Sequence, residues 1–267
     1  MQKPIVIFDS GVGGLSIYQE IKNRLPGLPV IYCSDNEGFP YGPRPESEVI
    51  ERTLHCLEKL ADQYKPSLVT IACNTASTIS LPGARTLLDI PVVGVVPAIK
   101  PAGLASKIGC IGLLATPGTV KRQYTDQLIR DFANHCKVIR VGSSELVQLA
   151  EDHLRGKVVD PDTLKAILSP FFKANPMPDC IVLGCTHFPL LKEQLQQVIS
   201  ADMTWVDSGE AIAHRVERLL DMESMLEIGI IEKGKTSDIF VYSGSNETVD
   251  DLVPALKQMG FEEIREL

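Results

Sequence analysis

Two stretches of this chain run into a cysteine in the same way. Pro66-Ser67-Leu68-Val69-Thr70-Ile71-Ala72-Cys73 aligns without a gap against Pro178-Asp179-Cys180-Ile181-Val182-Leu183-Gly184-Cys185, and in each a proline precedes the final cysteine by seven positions. A buried-type apolar run and one small residue lead to the thiol, and polar residues follow it: Asn74-Thr75 in the first copy, Thr186-His187 in the second. Such a pair suits proton transfer at carbon. Inverting a stereocentre that carries an acidic hydrogen takes one base on one face and one proton donor on the other. Cysteine can fill either role, since a free thiol with a pKa of about 8.5 is roughly 3% ionised at pH 7. Lowering that pKa by about 1.5 units makes it about half ionised, a differential stabilisation of about 2 kcal/mol.

Both cysteines fall where an apolar strand should end. Candidate strands cover 4–8, 29–33, 67–72, 91–95, 108–114, 137–141, 180–184, 203–206 and 238–242. Helical-period segments include 13–24, 46–63, 120–135, 144–153, 161–173, 189–199, 209–220 and 247–259. Continuous runs such as Ile5-Val6-Ile7 suit parallel strands buried on both faces, and the alternation of strand and helix suits doubly wound α/β architecture. In such sheets ligands bind at the carboxyl ends of the strands, where unpaired N–H groups favour a thiolate and can hold a carboxylate.

The cysteine repeat divides the chain. A second pair of strand ends also matches, Phe8 before Asp9-Ser10-Gly11 and Leu114 before Ala115-Thr116-Pro117. Val96-Pro97-Ala98-Ile99-Lys100-Pro101 and Asp207-Ser208-Gly209-Glu210 read as crossings between domains. The expected fold is two similar doubly wound α/β domains with parallel-rich sheets and an active site in the cleft between them. The first is discontinuous, residues 1–97 plus 209–267, and the second is 98–208.

Composition narrows the partners. A formal net charge of −8 disfavours a nucleic-acid phosphate track or an anionic membrane surface, while a pocket can still be locally positive for a small anion. No apolar run approaches the roughly 18 residues of a membrane helix, and no secretory h-region opens the chain. The expectation is a cytoplasmic protein whose seven cysteines are reduced thiols, and without a Cys-x-x-Cys pair no structural zinc site is expected. Cys33, Cys56, Cys110, Cys136 and Cys180 read as core material.

Four motifs now point to a family. Phe8-Asp9-Ser10-Gly11-Val12-Gly13-Gly14-Leu15, Pro40-Tyr41-Gly42, Cys73-Asn74-Thr75-Ala76-Ser77 and Gly184-Cys185-Thr186-His187-Phe188-Pro189 closely resemble, in order and spacing, the motifs of the bacterial glutamate racemases. The resemblance covers nearly the whole chain, and the two cysteine motifs separate it from the related aspartate and hydantoin racemases. It implies reversible interconversion of L- and D-glutamate, supplying D-glutamate for peptidoglycan, with neither pyridoxal phosphate nor metal. By motif match, Cys73 would exchange the proton on the D-face and Cys185 on the L-face. Asp9 would assist near Cys73, and His187 near Cys185, with Glu151 a further assisting acid on a looser match. Ser10, Tyr41, Gly42, Asn74, Thr75 and Thr186 would hold the glutamate, as would Thr116 and Thr119 in the second domain. Asp9 and His187 would also touch substrate, and the resemblance suggests a homodimer.

Plainer readings stand beside these. Asp9 or Ser10 could cap a helix, His187 could be a satisfied loop histidine, and Glu151 could lie on a solvated helix face. Gly11-Val12-Gly13-Gly14 is no dinucleotide fingerprint, since Ser16 stands where the third glycine belongs; its glycines would let backbone approach a small ligand. Gly229, Gly234, Lys235 and Thr236 spell a phosphate loop, but the strand-like Ser237-Asp238-Ile239-Phe240-Val241-Tyr242 follows where a helix should open. A cysteine hydrolase with one nucleophile leaves the second matched cysteine unexplained. A non-catalytic binder of an acidic amino acid would not move deuterium into the substrate's Cα. A redox pair lacks a local dithiol motif.

Overall fold

The computed structural model describes residues 3–199, 202–220, 237–245 and 249–267. Its contacts divide the chain into two compact units, Met1–Val95 with Gly209–Leu267, and Val96–Ser208.

The first unit is built on a parallel six-stranded sheet. Its strands are β1 (Ile5–Asp9), β2 (Val30–Ser34), β3 (Leu68–Ile71), β4 (Val92–Gly94), β9 (Asp238–Tyr242) and β10 (Phe261–Glu266), in the order β10-β9-β2-β1-β3-β4. β1, β2 and β3 are buried along their whole length, which is why they read as unbroken apolar runs. Each buried Ile, Val or Phe contributes roughly 1.5–3 kcal/mol. Helices α1 (Leu15–Arg24), α2 (Glu46–Tyr64), α3 (Asn74–Leu87) and α10 (Gly209–Leu220) belong to this unit, with the short helix Val253–Met259 near its end.

The second unit carries a parallel four-stranded sheet, β5 (Cys110–Ala115), β6 (Lys137–Gly142), β7 (Cys180–Leu183) and β8 (Thr204–Val206), in the order β6-β5-β7-β8. Helices α4 (Ile99–Ala105), α5 (Pro117–Lys121), α6 (Gln123–Phe132), α7 (Glu145–Leu154), α8 (Pro161–Phe172) and α9 (Lys192–Val198) surround it. Its core joins Ile111, Leu113, Cys180 and Val182 from the central strands to Ile99 and Ala102 of α4.

The two sheets share a plan. β2-β1-β3-β4 and β6-β5-β7-β8 are the same order, second-first-third-fourth, so the first and third strands of each are neighbours. Hydrogen bonds past the strand ends match too. Ala72 N–H donates to Phe8 C=O at 2.7 Å, as Gly184 N–H does to Leu114 C=O at 2.7 Å. Asp35 N–H donates to Asp9 C=O at 2.9 Å, and Ser143 N–H to Ala115 C=O at 3.0 Å. The gapless cysteine alignment is thus an alignment of β3 with β7. In this strand order the winding of the chain across the sheet reverses between the parallel first and third strands, and the crevice beyond their carboxyl ends is where such sheets bind ligands.

Four stretches depart from the periodicity. Helix α3 lies outside the helical-period segments because Pro82 and Gly83 sit inside it. A Cβ on Gly83 would come within 3.2 Å of Leu54 on α2, so the glycine permits the close α2–α3 packing that carries the helix through two poor helix formers. Helix α4 forms where a crossing was expected, with Pro101 in its first turn, where a missing N–H costs no intrahelical bond. Strand β10 was hidden by its charges: in Phe-Glu-Glu-Ile-Arg-Glu the three glutamates are exposed at the sheet edge, where charged side chains discourage pairing with other chains. The expected single helix over 120–135 is instead α5 and α6, broken at Arg122.

Gly229, Gly234, Lys235 and Thr236 of the phosphate-loop pattern lie outside the described residues, while Asp238–Tyr242 is a strand. No described helix is long and apolar enough to cross a membrane.

Candidate active site

In the first unit, the residues after β1 and β3 converge on Cys73. β1 ends at Asp9, which is fully buried, and Cys73 caps the N-terminus of α3. The Ala76 N–H donates to Cys73 Sγ at 3.5 Å, an open amide of the first turn aimed at sulfur. Ser10 Oγ lies 3.6 Å from the same sulfur and donates to Asp9 Oδ1 at 3.2 Å. One hydroxyl proton cannot serve both neighbours, so the contact follows the state of the thiol. A protonated Cys73 donates to Ser10 while Ser10 donates to Asp9; a thiolate accepts from Ser10 instead. Asp9 Oδ1 also accepts from the Gly11 N–H at 3.0 Å, a local turn, and α1 begins at Leu15 without a side-chain cap. Neither Asp9 nor Ser10 is a helix cap.

Asn74 and Thr75 open α3 and are buried, 4% and 5% exposed. Among the described residues the Asn74 side-chain nitrogen has no hydrogen-bond partner, a buried donor that costs about 1–3 kcal/mol until something accepts from it. Tyr41 packs in the same core cluster as Cys73 and Phe8, and Gly42 follows it at partial exposure.

The second unit places a different set around Cys185. The sulfur lies 3.8 Å from Nδ1 of His187, whose Nε2 lies 2.8 Å from Glu151 Oε1. Glu151, on α7, is 3% exposed, which excludes the solvated-face reading. Its other oxygen accepts from Arg155 at 2.7 Å, and Arg155 also donates to the Glu151 carbonyl at 2.8 Å. Burial of the ring opposes a charge on His187, but hydrogen bonds and charges at Cys185 and Glu151 outweigh it and hold the imidazole proton well above the ordinary histidine range. His187 is therefore no idle loop histidine. Thr186 is buried beside it; Thr116, at the position equivalent to Ser10, shares a 2.9 Å hydrogen bond with Thr119.

The thiols are related by the repeat, but their helpers are not. Ala115 occupies the place of Asp9, and His187 that of Thr75, so one thiol meets a hydroxyl backed by a carboxylate and the other an imidazole backed by a carboxylate and, behind it, a guanidinium. A base whose proton can be taken over by its neighbours is what removal and return of a carbon-bound proton requires. Among the described residues no cluster of three His, Cys, Asp or Glu side chains could hold a metal ion. The Asp/Glu/Hydantoin racemase profile matches residues 5–216.

The chain belongs to that family.

Its relatives agree. The chain is 47% identical over 263 residues to a glutamate racemase of Escherichia coli O157:H7, covering 98% of this chain and 90% of that one. It matches the crystal structure of Escherichia coli glutamate racemase in complex with L-glutamate and the activator UDP-MurNAc-Ala at a TM-score of 0.92 and 47% identity, over 99% of this chain and 98% of the other. A glutamate racemase isoform from Bacillus anthracis follows at a TM-score of 0.81 and 29% identity, over 98% and 96%. This member of the Asp/Glu/Hydantoin racemase family is an amino-acid racemase.

Two groups around the racemase residues were not singled out from the sequence. Arg155 stands four positions after Glu151 on α7, the spacing of a helical ion pair, and that spacing was a usable signal. Asp35 and Arg52 meet only through tertiary packing. One glycine of the first motif has a role different from ligand approach: a Cβ at Gly14 would lie 2.8 Å from Ala72 Cβ and 3.0 Å from both Asp9 Oδ2 and Tyr32 Oη. We expect Gly14→Ala to cost about 1–3 kcal/mol by overpacking. Urea unfolding should show a lower midpoint at unchanged slope; an unchanged midpoint would mean Asp9 and Tyr32 yield freely.

Proposed function

We propose that this racemase interconverts L- and D-glutamate by a two-base mechanism, supplying D-glutamate for peptidoglycan. One observation carries the reading: two buried cysteines stand at equivalent ends of equivalent strands, each beside groups able to take or return its proton. Cys73 removes or returns the α-proton on the D-face, and Cys185 does so on the L-face. Asp9, through Ser10, tends Cys73; His187, held by Glu151, tends Cys185. Ser10, Tyr41, Gly42, Asn74, Thr75, Thr116, Thr119, Thr186 and His187 hold the amino acid, with the Asn74 amide supplying a donor that awaits an acceptor. Neither pyridoxal phosphate nor metal takes part in this scheme. The enzyme is a cytoplasmic homodimer whose thiols stay reduced.

A cysteine hydrolase could use Cys185, His187 and Glu151 as nucleophile, base and orienting acid. That scheme leaves Cys73, Ser10 and Asp9 without a task, and a trapped acyl-enzyme on Cys185 would favour it.

With no cofactor added and in deuterium oxide, both enantiomers of glutamate should acquire deuterium at Cα as optical activity disappears, and both enantiomers of aspartate should do so far more slowly. Failure of glutamate to exchange refutes the reading; faster aspartate exchange reassigns the substrate.

A further inference from the structure

We infer that Asp35 is a positioning residue for the reaction, clamping the Tyr41–Gly42 segment beside Cys73 through the Tyr41 hydroxyl. This rests on the reading that Tyr41 and Gly42 hold substrate. Asp35 follows β2, is fully buried, and is tied by its backbone to the site, its N–H donating to the carbonyl of Asp9 at 2.9 Å and its carbonyl accepting from Gly38 N–H at 2.9 Å. Its carboxylate collects four donors from three parts of the first unit. Tyr41 Oη donates to Oδ2 at 2.5 Å. Arg52, on α2, donates from Nε to Oδ2 at 2.7 Å and from Nη2 to Oδ1 at 2.8 Å, a two-pronged pairing that fixes orientation as well as charge. Ser243, just after β9, donates to Oδ1.

The arrangement leaves little slack. Arg52 Nη2 is anchored in turn on Glu37 at 2.8 Å, and a Cβ on Gly38 would fall 2.4 Å from both Asp35 Oδ2 and Arg52 Nε, so the turn between Asp35 and Tyr41 closes tightly on the pair. Burial works to raise the Asp35 carboxyl, but the hydrogen bonds from Arg52, Ser243 and Tyr41 and the guanidinium charge hold it below the usual carboxylate range. Burial first, then the charge of Asp35, pushes the Tyr41 phenol far up, with Cys73 near enough to add to the effect. Tyr41 thus stays protonated and its one hydroxyl proton is committed to Asp35. Its ring centroid sits 6.5 Å from that of Phe8, in the cluster that includes Cys73. What this segment can offer a ligand is its backbone, and that backbone is only as well placed as the Tyr41 hydroxyl that pins it.

Loss of a clamp on a binding segment raises KM and spares kcat when ground state and transition state lose equally. Asp35→Asn keeps the shape and removes the charge; we expect KM for glutamate to rise about tenfold with kcat changed less than about threefold. Tyr41→Phe should raise KM by a similar factor, and the double variant should be no worse than either alone, because both act through one hydrogen bond. Arg52→Lys, which keeps the charge and loses the fork, should give a smaller rise and guards against Asp35→Asn failing to fold. Factors that multiply in the double variant, or a fall in kcat at constant KM, overturn the assignment. Wild-type protein that exchanges no deuterium into glutamate overturns the underlying reading instead, and this inference with it.

Discussion

Cys73→Ser and Cys185→Ser should each lower racemisation of glutamate by at least ~10²-fold, the scale expected when an acid–base group is lost. Serine preserves the shape of the side chain, so Ser10 and Ala76 keep a neighbour at position 73 and His187 keeps one at 185, but a hydroxyl does not ionise near neutral pH. Enantiomers have equal free energies, so the equilibrium constant is one and kcat/KM must fall equally in both directions whichever thiol is removed. The variants part company in isotope exchange. Cys73→Ser should lose deuterium uptake into D-glutamate while uptake into L-glutamate outlasts racemisation, and Cys185→Ser should do the reverse. The wild-type pH–rate profile should be bell-shaped, because one thiol must be ionised while the other is not. Near-full activity in either variant, or loss of exchange from the same enantiomer in both, refutes the two-base assignment.

His187→Gln and Glu151→Gln should lower racemisation by about 10²-fold, again as the loss of an assisting acid–base group, with exchange into L-glutamate suffering more because both act at Cys185. Linkage gives a second, independent readout. The His187 proton is held more tightly in the folded protein than in the unfolded chain. The resulting stabilisation is complete below the unfolded histidine value of about 6.5 and is lost as pH rises through the higher folded value, at up to about 1.4 kcal/mol per pH unit. Glu151→Gln removes one of the groups that raise His187, so its loss of stability should end at a lower pH. Urea unfolding from pH 6 to 9 should show the wild type's advantage over Glu151→Gln shrinking as pH rises. A difference constant across that range would mean that Glu151 does not hold the His187 proton.

The residues carry a good deal of this on their own. Runs such as Ile5-Val6-Ile7 and Cys180-Ile181-Val182-Leu183 are apolar at every position because both sheet faces are covered, and that alone separates parallel α/β architecture from the alternating pattern of an exposed sheet. The repeat around Cys73 and Cys185 was visible because equivalent strands must bury equivalent side chains up to the carboxyl end, where each cysteine sits. Where local preference and packing disagree, the residues mislead. Pro82 and Gly83 hide α3, whose close contact with α2 outweighs their poor helix propensity, and the charges of β10 hide a strand held by its pairing with β9 and by burial of Phe261 against Tyr18 and Phe240.

What the sequence by itself determined is which residues stand at strand ends, and so which side chains are presented where ligands bind. Which strand ends are neighbours was decided by tertiary structure. Ser10 and Cys73 are 63 positions apart and touch because β1 pairs with β3. Glu151 reaches His187 across 36 positions. Asp35 gathers Tyr41, Arg52 and Ser243 because β2 lies between β1 and β9. Periodicity reports the environment of one residue at a time, whereas strand order is a property of the whole sheet, set by which arrangement buries all the apolar faces together.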